Sequence, residues 1–265
     1  MRQRSPLLLT ALLIGLAFLY VPIVVLIIYS FNASSIASVW GGFSTQWYVS
    51  LLDDRPLHAA ALLSLRVAAV ASTASLVLGT LVAIALVRFG RFRGRFMLVS
   101  MVNAPLVMPE IITGITQLLL FVCMLRLIGW PARGATTVIL SHVVFCTAYV
   151  AVTVQARLAS ADWMLEEAAM DLGARPVRAF LDITLPIIAP ALVSGWLLSF
   201  TLSLDDVVIS SFVAGPRSST LPMLIYSRVK LGISPSVNAL ATLIILLVGS
   251  IVVASGTLFK TREQR

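Results

Sequence analysis

The chain has 265 residues, of which 59% are hydrophobic and 11% charged, with a mean hydropathy of +1.01. Water-soluble domains of that size do not carry such a composition, so the soluble globular class is excluded in favour of an all-α polytopic membrane protein. The net charge of +8 carries no nucleic-acid signal, because the basic residues gather on one side of the bilayer.

Six membrane spans are predicted: Leu7–Ile28, Val67–Val87, Phe96–Leu125, Ala135–Gln155, Ile187–Val213 and Asn238–Phe259. Each reaches across the roughly 30 Å of a hydrocarbon core. The first has too long an apolar run for a signal-peptide core and reads as an uncleaved span. With both termini inside, the cytoplasmic segments hold twelve Lys and Arg and the outer ones seven. The cluster Arg88, Arg91, Arg93 and Arg95 is the strongest local sign of that orientation. The whole chain, 1–265, reads as one transmembrane domain.

The first outer loop carries Trp40, Phe43, Trp47 and Tyr48, aromatics expected at the lipid interface. Leu57–Leu65 is expected to lie along the outer surface before the second span. Asn103, Pro105 and Pro109 break the third span around Glu110. In the fourth, His142, Cys146, Tyr149 and Thr153 form a polar stripe; in the fifth, Ser199, Ser203, Asp206 and Ser210 do so, with Asp205 alongside. Cys123 and Cys146 read as small apolar residues, and no disulfide framework is implied.

Three acids, Glu110, Asp205 and Asp206, thus fall within spans. An ionised side chain at a span centre costs on the order of 2.5–3.5 kcal/mol on insertion scales, so it normally faces a cavity or a partner. Counting about 1.5 Å per residue along unbroken helices places Glu110, Asp205 and His142 near one level. A ring of carboxylates there suits a cation with ammonium groups at both ends. Because neighbouring helical residues point about 100° apart, only one of the two aspartates faces a cavity squarely, and the Ser199/Ser203 stripe favours Asp206. Glu110, Asp205, Asp206, Ser203, His142 and Tyr149 are the candidate substrate-pathway residues; His142 reads as packing and hydrogen bonding rather than ligating. No metal site is expected.

Between the fourth and fifth spans, about 157–186, lies the longest stretch with dense charge of both signs. Asp162 is placed to cap a short helix on which Leu165, Ala168, Ala169 and Leu172 share a side, with Glu167 and Asp171 on another. Gly173 supplies a stop. Pro176 opens a second helix with Val177, Phe180, Leu181 and Thr184 as its stripe, and Pro186 is expected to end it. No G-x-x-x-x-G-K-[ST] phosphate loop occurs, so ATP chemistry requires another chain.

Glu167-Ala168-Ala169, three residues, Gly173, nine residues, Ile183-x-Leu185-Pro186 resembles the loop of permease subunits of binding-protein-dependent ABC importers. There it forms coupling helices that seat on a separate ATPase. The resemblance departs at Arg175, where that family usually has Ser or Thr. Asn103–Glu110, Ser141–Cys146, Phe200–Ile209 and Val237–Thr242 resemble polyamine-importer permeases, and Val87–Gly94 and the Gly41–Tyr48 region the putrescine-type ones. That resemblance implies a type I ABC-importer permease fold in the bacterial inner membrane and no cofactor in this chain. It also implies a second, similar permease, two copies of an ATPase binding ATP and Mg, a periplasmic polyamine-binding protein and a lipid surround. An ion-coupled secondary transporter of a cationic solute, an ABC permease for another small solute, and a scaffold without transport are the rival readings.

Overall fold

The computed structural model describes residues 6–36, 39–231, 235–246 and 250. Among these the chain is helical apart from turns, loops and an isolated bridge between Asn32 and Phe43. It forms two compact units, one of the residues up to His58 with those from Ile225 onward, the other Ala59–Leu224. Among the described residues five helices are long and apolar enough to cross a membrane: Leu9–Tyr29, Arg55–Arg88, Glu110–Ile128, Ala135–Ala159 and Pro176–Asp205. Of the expected sixth span, residues 238–246 belong to the apolar helix Pro235–Leu246. Residues 247–249 and 251–259 lie outside the described residues.

In the first unit, α1 (Pro6–Tyr29) is apolar on every side. Its side chains are exposed all round, Phe18 81% and Ile14 70%, as befits a helix surrounded by lipid. Beyond it the chain turns about the buried Asn32, whose amide nitrogen donates to the Val39 carbonyl at 2.7 Å and whose Oδ1 accepts from the Gly41 N–H at 2.8 Å. The loop aromatics also pack on each other: Phe31 stacks on Phe43 and Tyr29 meets Trp40 edge-on. After the short α2 (Gln46–Leu52), Asp54 caps the next helix by accepting the Leu57 N–H. Asp54 also pairs with Arg228 of α11 (Leu221–Leu231) at 2.6 and 2.9 Å. The Arg228 guanidinium holds the Asp54 carboxyl below its ordinary value, against the opposing effect of burial.

The second helix of the bundle, α3, runs unbroken from Arg55 to Arg88. This corrects the expectation that Leu57–Leu65 lies apart on the outer surface: Leu57, Ala60 and Ser64 are buried, and no Gly or Pro falls between Leu57 and Val67 to separate that stretch from the rest of the helix.

The expected third span is two helices, α4 (Arg95–Val107) and α5 (Glu110–Ile128). Met108 and Pro109 between them are extended, with ψ of 138° and 136°. Pro105 remains inside α4, so Pro109, which forces its predecessor out of the helical region, makes the break. At 13 residues α4 is too short to span alone.

At the centre of the second unit stands α6 (Ala135–Ala159), buried along most of its length from Thr137 to Leu158. Its N-terminal half packs Val138, Phe145 and Cys146 against Phe121, Ile209 and Val213. Its C-terminal half packs Val150, Val154 and Leu158 against Ala83 and Ile188. Close approach comes from glycine: a Cβ at Gly79 of α3 would stand 2.7 Å from the Val150 side chain, small-residue packing of the kind that holds helices together in lipid.

Candidate functional site

Among the described residues of the second unit, two places depart from plain apolar packing. The first is the connection that follows α6. Asp162 accepts the Met164 N–H at 3.0 Å as α7 (Met164–Asp171) begins. Gly173, at φ +90°, ends it: its N–H reaches the Met170 carbonyl at 2.9 Å and that of Ala174 the Ala169 carbonyl at 3.0 Å, the paired bonds of a Schellman stop. Pro176 opens α8 (Pro176–Ala179), and Arg175 makes no side-chain cap.

Pro186 does not end this second helix. A wide π-turn, Phe180–Thr184, follows α8 and leads straight into α9 (Leu185–Asp205). Proline near the start of a helical segment removes no hydrogen bond of that segment, so it is tolerated there.

Of the motif residues, Glu167, Ala168, Gly173 and Pro186 are exposed, whereas Ala169, Ile183 and Leu185 are half-buried. Leu172 is 91% exposed and Val177 71%, and Met164, Leu165 and Leu181 are also bare. They are interspersed with the exposed acids Glu167, Asp171 and Asp182, a surface unsuited to hydrocarbon and suited to a protein partner. Thr184, by contrast, is buried, so the stripe assigned to the second helix divides between surface and interior.

What holds the loop in place is Glu166, one residue before the motif. Its buried carboxylate accepts both terminal nitrogens of Arg88, one at 3.0 Å, and the Thr184 hydroxyl at 2.7 Å. The guanidinium lies over the rings of Trp163, at 4.7 Å, and Phe180, at 5.4 Å. Beside it a cavity of about 320 Å³ is lined by Val87, Arg88, Trp163, Glu166, Glu167 and Met170. Sequence reasoning missed this anchor. The available signal was the doubled Glu: adjacent helical residues point about 100° apart, so Glu166 turns inward when Glu167 turns out.

The second place is a break in the fifth span. Helix α9 stops at Asp205, and α10 (Val208–Val213) starts after the extended Asp206. The Asp206 carboxylate accepts the Ile209 N–H at 3.1 Å and the Ser210 N–H at 2.7 Å, capping the new helix. It also meets His142 Nε2 at 3.2 Å, while His142 Nδ1 meets the Ser203 hydroxyl at 2.6 Å and Nε2 the Ser210 hydroxyl at 3.0 Å. The far end of α10 is closed by Arg133, which donates to the Phe212 and Ala214 carbonyls, and by Thr137, which donates to that of Val213.

The three intramembrane acids therefore separate. Asp206 is engaged inside, whereas Asp205 and Glu110 are exposed. Glu110 is the first residue of α5, beside the second helix break, where the helix dipole favours an anion. It lies within electrostatic reach of Tyr149, which is half-buried against Phe145. Because both helices are broken, the depth count along uninterrupted helices no longer applies. Discontinuous helices in a membrane bundle are where transporters place binding groups. Among the described residues no three His, Cys, Asp or Glu gather as a metal site.

Residues 75–264 match the family of binding-protein-dependent transport system inner membrane components. The chain is 57% identical over 247 residues to the putrescine transport system permease protein PotI of Escherichia coli (strain K12), covering 93% of this chain and 88% of that one. It is 44% identical over 239 residues to the spermidine/putrescine transport system permease protein PotC of the same strain, covering 90% and 88%. A bacterial ABC transporter involved in the import of the acidic polysaccharide alginate shares the fold, with TM-score 0.72 at 15% identity over 98% of both chains. The MetNI methionine ABC transporter does so with TM-score 0.61 at 18% identity, over 77% of this chain and 94% of that one.

Proposed function

We propose a function from a settled premise: the chain belongs to the family of binding-protein-dependent transport system inner membrane components. It is the permease subunit of an ATP-driven importer that carries a polyamine, putrescine foremost, across the inner membrane. The observation that carries this reading is the exposed loop bearing Glu167, Ala168 and Gly173, on a chain 57% identical to a putrescine permease protein. ATP and Mg are bound by two copies of a separate ATPase that seat on α7 and α8. A second permease completes the pathway, and a periplasmic binding protein delivers the solute. Both termini face the cytoplasm, which puts the Arg88–Arg95 cluster and the loop on the ATPase side.

In this reading Asp205 and Glu110 are the pathway anions, because they are the intramembrane acids left exposed. Asp206, His142 and Ser203 hold the broken helix that presents Asp205. Tyr149 lines the approach to Glu110.

The test is uptake of labelled putrescine into proteoliposomes holding the full complex. Uptake that requires internal ATP supports the reading, whereas uptake driven by a proton gradient without ATPase supports an ion-coupled carrier instead.

A further inference from the structure

We propose that Arg88 is a positioning residue for coupling: through Glu166 and Thr184 it carries displacement of the loop helices into α3. The inference rests on the importer reading above and adds a route for the motion.

The backbone already links α7 to two helices, backward to α6 and forward through α8 and the π-turn to α9. It makes no direct link to α3, whose last residue is Arg88, 78 positions before Glu166. The connection is made by side chains alone. Both terminal nitrogens of Arg88 donate to the Glu166 carboxylate, and Nη2 also donates to the Thr184 hydroxyl at 3.1 Å. Thr184 in turn donates to Glu166 at 2.7 Å. The three polar groups therefore close a ring that joins α3, α7 and the π-turn. Bidentate geometry fixes direction as well as distance, and π-turns recur at functional positions in helices.

A buried ion pair is weak evidence for stability, since apolar side chains of like volume hold a junction equally well. It does resist sliding, because each charge has a single place to go. Farther along α3 the grip passes to its neighbours. The Ser75 hydroxyl donates to the Val143 carbonyl of α6 at 3.1 Å, and Trp196 of α9 donates to the Thr73 hydroxyl at 3.2 Å. Val150 of α6 is wedged between Gly79 of α3 and Gly195 of α9, where added Cβ atoms would meet it at 2.7 and 3.6 Å. A push on α7 thus arrives at α3 near its end and is handed to α6 and α9 two turns and more farther on.

The test uses the complete transporter in proteoliposomes, with putrescine and ATP, and reads solute moved per ATP hydrolysed. Wild-type uptake and hydrolysis first test the importer reading itself; the ratio in the variants tests the route. In assembled complexes, Arg88→Met and Glu166→Gln are expected to lower solute moved per ATP by about three- to tenfold. The exchange Arg88→Glu with Glu166→Arg should regain most of it. Thr184→Val removes a hydroxyl and keeps the shape, so it remains informative where a charge change blocks assembly, and it should lower the ratio in the same direction. A wild-type ratio in Thr184→Val overturns the proposal. So does a parallel loss of uptake and hydrolysis at an unchanged ratio in any of the assembled variants.

Discussion

His142 on α6 reaches Asp206 across the bundle at 3.2 Å, at the point where the fifth span changes from α9 to α10. One carboxylate therefore performs two tasks, ending one helix segment's exposed N–H groups and fixing a neighbouring helix. Removing either partner leaves a buried polar group short of a bond, which costs about 1–3 kcal/mol. Asp206→Asn and His142→Ala are expected to destabilise the detergent-solubilised protein on that scale, while Asp205→Asn stays within about 0.5 kcal/mol of wild type. Thermal unfolding of the three variants measures this; equal stability of Asp206→Asn and wild type would show the junction to be idle.

Transport should sort the same acids the opposite way. Asp205→Asn and Glu110→Gln remove exposed charge without disturbing a hydrogen-bonded junction. Each is expected to weaken putrescine uptake at unchanged protein stability and unchanged binding to the external receptor. Normal uptake by the double variant would mean these carboxylates stand outside the pathway.

At the loop, Glu167 is exposed and Glu166 buried, so substitutions one residue apart should fail differently. Glu167→Lys reverses the charge on the proposed docking surface and is expected to abolish uptake and ATPase capture while the chain still inserts. Co-purification of the ATPase with the variant checks this, and wild-type capture together with wild-type uptake would remove Glu167 from the interface.

Packing gives a further expectation. Gly79 faces Val150 at a separation that leaves no room for a side chain. Gly79→Val should destabilise the bundle by about 1–3 kcal/mol through overpacking. Val150→Ala in the same chain should recover part of that, a coupling that distant sites do not show. Additive losses in thermal unfolding would place the two residues apart.

The Asp54–Arg228 pair fixes a pH dependence. The folded pKa of Asp54 is held below its ordinary value by Arg228. Its contribution is therefore complete above the unfolded value of about 4 and is lost as pH falls through the lower folded value. The stability difference between wild type and Asp54→Asn should be flat from neutral pH down to about 4 and shrink below that. A difference that grows on acidification contradicts the pairing.

Much of this architecture is local and so was legible from sequence. Gly173 and Pro176 act where their own chemistry predicts, because stops and starts are decided within a few residues; Asp162 holds the Met164 N–H from one residue before the N-cap Trp163, without capping the helix itself. The break at Pro109 follows from the same rule. The break at Asp206 has no Gly or Pro to announce it, and its sign was an Asp before an apolar run, read as a buried charge and not as a cap. Arg88 with Glu166, and Arg133 with the end of α10, join residues 78 and about 80 positions apart, and local periodicity carries no information about such pairs. Pro186 was misread because a π-turn lets the backbone pass it without stopping.

The central claim is that a separate ATPase drives this chain through its loop. It is tested most directly by reconstituting the permease complex with and without the ATPase and following labelled putrescine at saturating ATP. The account predicts accumulation only with the ATPase present, and none when Glu167 is replaced by Lys. Accumulation by the permease without its ATPase would contradict it.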